Sequence, residues 1–253
     1  MSLDSQNVIL TKQERRIQRK QQKRAKQQKA IPIVDFLRLQ KIQPLTNNQR
    51  LFFDYYDDEN EFILAIGSAG TGKSFVAIYK ALEEIFREDA VYKKLVIVRS
   101  TVPSRDQGFL PGDAKKKNEE YEAAYKQIIF ELFGKDVYNN LVGAGKLEFK
   151  STSYLRSLTL NDSIVVADEI QNMNWEELLT VVTRLGDNSR FIGCGDYRQN
   201  DLYRKDSDKS GLEKFIDIAE RMNAPIVEYT TDDIVRSDLV KRFLIAVEDY
   251  EDE

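Results

Sequence analysis

Residues 67–74, GSAGTGKS, join a short apolar run to a longer helical pattern. The run FILAI (62–66) is typical of a buried strand, and KSFVAIYKALEEI (73–85) predicts a helix. The stretch matches the spacing G-x-x-x-x-G-K-[ST], in which glycines and a helix N-terminus direct backbone N–H groups at a phosphate. A tight turn without a ligand would explain the glycines, but not Lys73 followed by Ser74. The sequence therefore predicts a phosphate-binding loop, with Lys73 on the β- and γ-phosphates and Ser74 on Mg²⁺.

The alternation of apolar runs and helical patterns continues along the chain and predicts the fold class. Further strands are expected at 95–99, 147–151, 164–168, 191–194 and 226–229, and helices at 73–87, 114–133, 174–185, 211–222 and 238–248. Strands that are apolar on both faces and separated by helices indicate a parallel sheet covered on both sides. We therefore predict an α/β fold, a single P-loop NTPase domain with a mostly parallel sheet between two helical layers.

The composition excludes several kinds of chemistry. The 253 residues include no histidine and one cysteine, Cys194, so a Ser-His-Asp triad, a histidine-based zinc site and an intramolecular disulfide are ruled out. We expect Cys194 to be a small core residue. No apolar run approaches the roughly 20 residues of a membrane span, and the N-terminus lacks an apolar signal region. We therefore expect a soluble, cytoplasmic protein with no membrane partner.

The N-terminal region differs in charge from the rest of the chain. Residues 11–30 carry nine Lys or Arg and one Glu, although the whole chain has a net charge of -4. We divide the chain into a basic arm, 1–30, which we expect to be disordered in the free protein, and a folded domain, 31–253. The arm is either a solvated tail or a ligand for nucleic acid phosphates. The acidic C-terminal stretch EDYEDE is an alternative partner for it.

A second acidic motif supplies what the phosphate-binding loop needs. The run IVVADE (164–169) places Asp168 and Glu169 at the end of a buried strand. We expect Asp168 to hold Mg²⁺ through water and Glu169 to orient and deprotonate the attacking water, although an acidic pair that caps a helix is the alternative. Gln199 follows the next strand, where it would contact the γ-phosphate or the water, unless it is an ordinary loop residue.

Several blocks in one order resemble the PhoH family of P-loop ATPases, whose ATPase domain is similar to the first motor domain of superfamily 1 helicases. The blocks are LTNNQRLFFD around Gln49, GSAGTGKSFVA, IVRSTVPSRDQGFLPGD (97–113), VVADEIQNM (165–173), CGDYRQNDL (194–202), the turn at 209–212, and DDIVRSDLVKR (232–242) around Arg236. Departures are local: Arg99-Ser100 stands where the family has Arg-Pro, Tyr197-Arg198 where it has Pro-Ser, and Ser237-Asp238 where it has His-Pro.

The resemblance implies a RecA-like domain that binds ATP and Mg²⁺ and assembles as a homo-oligomeric ring, with a hexamer favoured. It implies that Gln49 recognises adenine, that Gln199 is the sensor glutamine, and that Arg236 acts as a γ-phosphate sensor in cis or an arginine finger in trans. Arg99, Arg105, Arg198 and Arg204 are further candidates for such an arginine. The residues expected to hold the nucleotide are Gln49, Gly67, Ser68, Ala69, Gly70, Thr71, Gly72, Lys73, Ser74 and Phe75. The catalytic set is Lys73, Glu169, Gln199 and Arg236, and the metal set is Ser74 and Asp168.

Three functions are compatible with this set of residues. The first is an ATP hydrolase that binds or remodels single-stranded RNA or DNA, as the helicase-like blocks, the basic arm and the lysines at 115–117 indicate. The second is an ATP-dependent switch or assembly factor that acts on a protein partner without nucleic acid. A nucleotide kinase is a distant third, because Glu169 beside Asp168, with Gln199 as sensor, favours water as the acceptor.

Overall fold

The computed structural model describes residues 39–100, 114–134, 137–196 and 211–251. The basic arm, Gln199, and most of the block at 97–113 lie outside the described residues, so their predicted roles stay predictions. The same holds for Arg105, Arg198 and Arg204. The division of the chain at residue 30 also stays a prediction.

Six strands form one parallel sheet. They are β1 (Phe62–Gly67), β2 (Lys94–Arg99), β3 (Leu147–Ser151), β4 (Ser163–Ala167), β5 (Ser189–Gly195) and β6 (Ile226–Tyr229). Their order across the sheet is β3-β2-β4-β5-β1-β6, and every neighbouring pair is parallel. The predicted α/β class is confirmed, since a parallel sheet requires a crossover between consecutive strands. Helices lie in every crossover except the one from β3 to β4, which contains only a 3-10 turn at Thr152–Tyr154.

Seven helices lie in the described part of the chain. They are α1 (Asn47–Asp57), α2 (Lys73–Ile85), α3 (Ala114–Phe133), α4 (Val137–Gly143), α5 (Trp175–Thr183), α6 (Leu212–Arg221) and α7 (Asp238–Glu251). Two of these helices were not predicted from the sequence: α1, which begins with polar residues after the N-cap Thr46, and α4, which has only 7 residues. None of the described helices is long and apolar enough to cross a membrane.

Alternate residues of each strand feed two cores on opposite faces of the sheet. On β1, Ile63 and Ala65 pack with α1, α2, α3 and α4, whereas Leu64 and Ile66 pack with α5 and α6. Cys194 is buried in the first of these cores, as expected. Helix α7 contributes to neither core, so its position must come from other contacts.

The order of the strands brings the phosphate-binding loop and the acidic motif to the same end of the sheet, where the strands have their carboxyl ends. Strand β5 lies between β1, which leads into the phosphate-binding loop, and β4, which leads to Asp168. At the end of β1 the chain passes so close to β6 that a Cβ on Gly67 would lie 1.9 Å from the Tyr229 carbonyl oxygen. Gly67 also has φ +130, a conformation that favours glycine. The loop therefore begins at a position that only glycine fits, at the carboxyl edge of the sheet.

Candidate functional site

The phosphate-binding loop ends in a helix N-terminus without a side-chain cap. Gly72 is the N-cap of α2 with φ 83, and no side chain bonds to the first-turn N–H groups from this position. The first N–H groups of a helix have no partner within it, and they carry the positive end of the helix dipole. This end of α2 can therefore accept an anion.

Lys73 is held against the loop that precedes it. Its Nζ donates to the carbonyl oxygens of Gly67 and Ser68 at 2.7 Å each, and to Thr71 Oγ1 at 3.3 Å. Burial lowers the pKa of the Lys73 ammonium, and the charge of Asp196 is the strongest effect that opposes this. The Lys73 ammonium therefore donates its hydrogen bonds to oxygen atoms of the loop itself.

Ser74 and Asp168 meet across β5. Ser74 Oγ donates to Asp168 Oδ1 at 2.6 Å, and Tyr125 Oη donates to Asp168 Oδ2 at 2.7 Å. Hydroxyl and carboxylate oxygens are the hard ligands that Mg²⁺ accepts alongside water and phosphate. Within the described ranges, no group of three or more His, Cys, Asp or Glu side chains could hold a metal ion. Ser74 and Asp168 therefore supply two oxygen atoms of the kind that fits Mg²⁺.

Glu169 stands next to this pair in a strained backbone conformation. Its φ of 54 lies in the left-handed region, which costs a non-glycine residue on the order of 1–3 kcal/mol. The carboxylate accepts a bond from Gln171 Nε2 at 2.6 Å, and Gln171 Oε1 accepts the backbone N–H of Asp196 at 3.1 Å. Gln171 thus links Glu169 to the end of β5. The Glu169 side chain makes no capping bond to the following short helix, which disfavours the helix-capping alternative.

The surroundings of Glu169 suit a proton acceptor. Burial and the adjacent charge of Asp168 raise the pKa of the Glu169 carboxyl, and the Arg99 guanidinium is the main group that opposes this shift. A higher pKa makes a carboxylate a stronger base, provided that it is still ionised. Arg99 was one of several arginines considered from the sequence, and it lines the same cavity.

Gln49 braces the loop from α1. Its Oε1 accepts the Leu45 N–H at 2.8 Å, and its Nε2 donates to the Thr71 carbonyl oxygen at 2.9 Å. A glutamine amide has two donors and two acceptor lone pairs, so one of each remains beyond these bonds. The residue predicted from the family resemblance to recognise adenine therefore also supports the phosphate-binding loop.

Arg236 lies beside the loop of its own chain. The neighbouring Val235 N–H donates to the Gly70 carbonyl oxygen at 3.0 Å. A Cβ on Gly70 would lie 3.0 Å from Arg236 Cγ and 3.5 Å from Leu244 Cδ1. One turn further along α7, Glu248 Oε2 accepts a bond from Ser68 Oγ at 3.3 Å. The segment from Val235 to Glu248 therefore covers the loop, and these contacts help to hold α7 in place, together with the bond of Lys241 Nζ to the Asp232 carbonyl oxygen at 3.3 Å.

These groups line a cavity of about 680 Å³. The predicted residues among its lining are Gln49, Ala69, Gly70, Gly72, Lys73, Ser74, Phe75, Asp168, Glu169 and Arg236. Gly67, Ser68 and Thr71 do not line the cavity, and their part here is to bond Lys73. Tyr125, Gln171 and Asp196 had no predicted role. Tyr125 gave no signal at all, because it looks like any other aromatic residue on an amphipathic helix.

Known proteins resemble this chain over most of its length. A family model described as PhoH-like protein matches residues 41–248. A PhoH-like protein of Mycobacterium leprae (strain TN) is 32% identical over 213 residues, which are 83% of this chain and 60% of that protein. A PhoH-like protein of Bacillus subtilis (strain 168) is 32% identical over 189 residues, or 74% of this chain and 58% of that protein. Protein PhoH of Escherichia coli (strain K12) is 30% identical over 205 residues, or 79% and 56%. The match covers less than two thirds of each of these relatives.

We expect Lys73→Ala to weaken nucleotide binding by at least about 100-fold, because bonds to charged groups contribute roughly 1.5–3 kcal/mol each. Titration of a fluorescent ADP analogue measures this. Lys93→Ala is the control, since Lys93 precedes β2 at the opposite edge of the sheet and makes an exposed ion pair with Asp162 at 2.7 Å. Equal affinities in the two variants would contradict the assignment of the loop.

Proposed function

Because the chain belongs to the PhoH family of P-loop NTPase-type proteins, we propose that it hydrolyses ATP with Mg²⁺. The observation that carries this proposal is the 2.6 Å contact of Ser74 with Asp168, beside Lys73 and Glu169 in one cavity. Phosphoryl transfer to water needs three kinds of group: one that binds the phosphates, a pair of side chains that holds the metal ion, and a base.

Each side chain has a separate task in this proposal. Lys73 and the loop N–H groups bind the β- and γ-phosphates, and Gln49 uses its remaining donor and acceptor on adenine. Ser74 and Asp168 would hold Mg²⁺, and the ion would supply positive charge next to the phosphate oxygens. Glu169, held by Gln171, takes the proton from the attacking water. Arg236 lies at the loop of its own chain, which favours an action in cis on the γ-phosphate. Gln199 as sensor and a cytoplasmic location stay predictions from the sequence.

We expect Glu169→Gln to bind ATP as the wild type does but to hydrolyse it about 10²–10⁴-fold more slowly, because the amide cannot accept the proton. Phosphate release under saturating ATP measures turnover, and a fluorescent analogue measures binding. The matched control is Glu176→Gln, which makes the same change at an exposed position on α5. Wild-type turnover in Glu169→Gln would contradict the role of base, and no turnover in any chain would contradict the proposed activity.

We further propose that turnover is coupled to the binding or remodelling of single-stranded RNA or DNA. The support is the charge pattern: nine basic residues within 11–30, and three lysines, 115–117, at the start of α3. The rest of the chain is acidic, so these two clusters are where a polyanion would bind.

The test of coupling is ATP turnover with and without single-stranded RNA and DNA at two salt concentrations. We expect stimulation that weakens with salt. If the protein contacts about five phosphates, its affinity for single-stranded nucleic acid should fall roughly 100-fold between about 50 and 200 mM salt. A chain that lacks residues 1–30 is compared with the full chain, and we expect it to require more nucleic acid for the same effect. Turnover that is indifferent to nucleic acid in both chains would favour the alternative, an ATP-dependent switch or assembly factor for a protein partner.

Helix α7 carries an exposed apolar face. While Leu244 and Glu248 face the loop, its other side carries Leu239, Phe243 and Tyr250, which are 71%, 66% and 80% exposed. These positions, together with Ala246, are spaced by four, three and four residues and so form one apolar face. Exposed apolar faces of this kind mark protein contacts. We propose a second copy as the occupant, in a homo-oligomeric ring for which the family resemblance favours a hexamer.

We expect Phe243→Glu to lower the molecular mass of the protein in solution, because it places a charge in the centre of this face. Analytical ultracentrifugation at micromolar concentration measures the mass. Met222→Glu, an equally large change at another exposed apolar residue, should leave it unaltered. A wild-type chain that is monomeric with and without ATP would contradict the ring. The occupant of the apolar face of α7 would then be a different protein.

A further inference from the structure

The carboxylate of Asp168 is held on both of its oxygens by hydroxyl groups from two different helices. Ser74, in the first turn of α2, bonds Oδ1 at 2.6 Å. Tyr125, in the middle of α3, bonds Oδ2 at 2.7 Å. Ser74 is part of the motif for binding Mg²⁺, but nothing so far accounts for Tyr125. A buried tyrosine hydroxyl usually bonds to a partner, and here that partner is the carboxylate proposed to hold the metal ion.

Packing fixes the position of the Tyr125 ring. The residue is buried, and its ring lies against Phe149 of β3 with the centroids 5.6 Å apart. Ile129 and Leu132 hold the same face of α3 in the core. Because the ring has little freedom, the direction of its hydroxyl follows the position of α3. A shift of α3 would therefore move the hydroxyl, and with it the group that is bonded to Asp168.

Arg99 places a positive charge close to Tyr125 and Asp168. It ends β2 and lines the cavity, and its guanidinium charge interacts with Tyr125, Glu169 and Asp168. The tyrosine hydroxyl donates to a charged partner, the Asp168 carboxylate. Hydrogen bonds to charged groups are roughly twice as strong as those between neutral groups. The arrangement orients the hydroxyl toward Asp168 more firmly than packing alone would.

We propose that Tyr125 is a positioning residue that orients the Asp168 carboxylate for Mg²⁺ and couples the position of α3 to the binding of the metal nucleotide. This inference rests on the proposed function of the site. Groups that bond to a metal ligand set its orientation, and their removal typically weakens metal binding about 10–100-fold. The coupling is reciprocal by thermodynamic linkage, so metal nucleotide bound at Asp168 must stabilise α3 in turn.

The test is Tyr125→Phe in the full chain, which removes one oxygen and keeps the ring. The measured quantity is the affinity for a fluorescent ADP analogue, with EDTA and along a Mg²⁺ titration. We expect an unchanged affinity in EDTA and a Mg²⁺ requirement raised about 10–100-fold. Tyr138→Phe is the matched control: it removes a hydroxyl on the neighbouring helix α4 that donates to Glu122 at 2.9 Å. We expect it to behave as the wild type does.

A second readout addresses the coupling itself. Hydrogen exchange of the amides in 122–133 should slow about tenfold when Mg²⁺ and ADP bind to the wild type and to Tyr138→Phe. We expect this slowing to be lost in Tyr125→Phe. A purely structural role for the hydroxyl would instead speed exchange equally with and without ligand.

Three outcomes would overturn the inference. The first is a Mg²⁺ requirement in Tyr125→Phe equal to that of the wild type. The second is an equal loss of affinity with and without Mg²⁺, which would assign the hydroxyl to packing. The third is ligand protection of α3 that survives the substitution. These outcomes leave the proposed function intact if the wild type binds ADP, whereas a wild type that binds no nucleotide would overturn both.

Discussion

The site depends on one short hydrogen bond, between Ser74 and Asp168, which joins positions 94 residues apart in the sequence. The bond forms only if β1 and β4 end at the same edge of the sheet with a single strand between them. The register meets this demand, since Ala167 and Leu64 both pair with Gly193 of β5. The two cores that flank the sheet hold this register. A strand that slipped by one residue would turn the side chains of each face toward the opposite core. The chemistry proposed for the loop is therefore set by the packing of the whole sheet.

The sequence predicted the fold and the loop well because both are local patterns. The strand–loop–helix unit at 62–85 and the acidic pair at 168–169 are contiguous in sequence, and apolar runs mark all six strands. Two short or polar-fronted helices, α1 and α4, were missed because they lack a long apolar stripe. The roles of Gln199 and of the basic arm stay predictions, since both lie outside the described residues.

The parts of the site that escaped prediction are contacts between distant segments. Tyr125 to Asp168 spans 43 residues, and Gln171 to the Asp196 backbone spans 25. No spacing rule connects such pairs, because they depend on how α3 and β5 lie against β4. The position of Arg236 is similar: a block match could suggest the residue, but only the contact of Val235 with Gly70 places it at its own loop. Local motifs thus identify the reacting groups, and tertiary packing decides how they are oriented.

The cover of the phosphate-binding loop has a consequence for how the protein is made. Ser68 and Glu248 are separated by 180 residues, and a ribosome adds roughly 5–20 residues per second. The glycine-rich loop therefore leaves the ribosome on the order of 10–40 s before the segment that covers it. For most of that interval both β6 and α7 are absent, so Gly67 has no strand to pack against and the nucleotide pocket is incomplete. A nucleotide that binds only the finished pocket would then stabilise the native state by mass action after the last of these segments has been made.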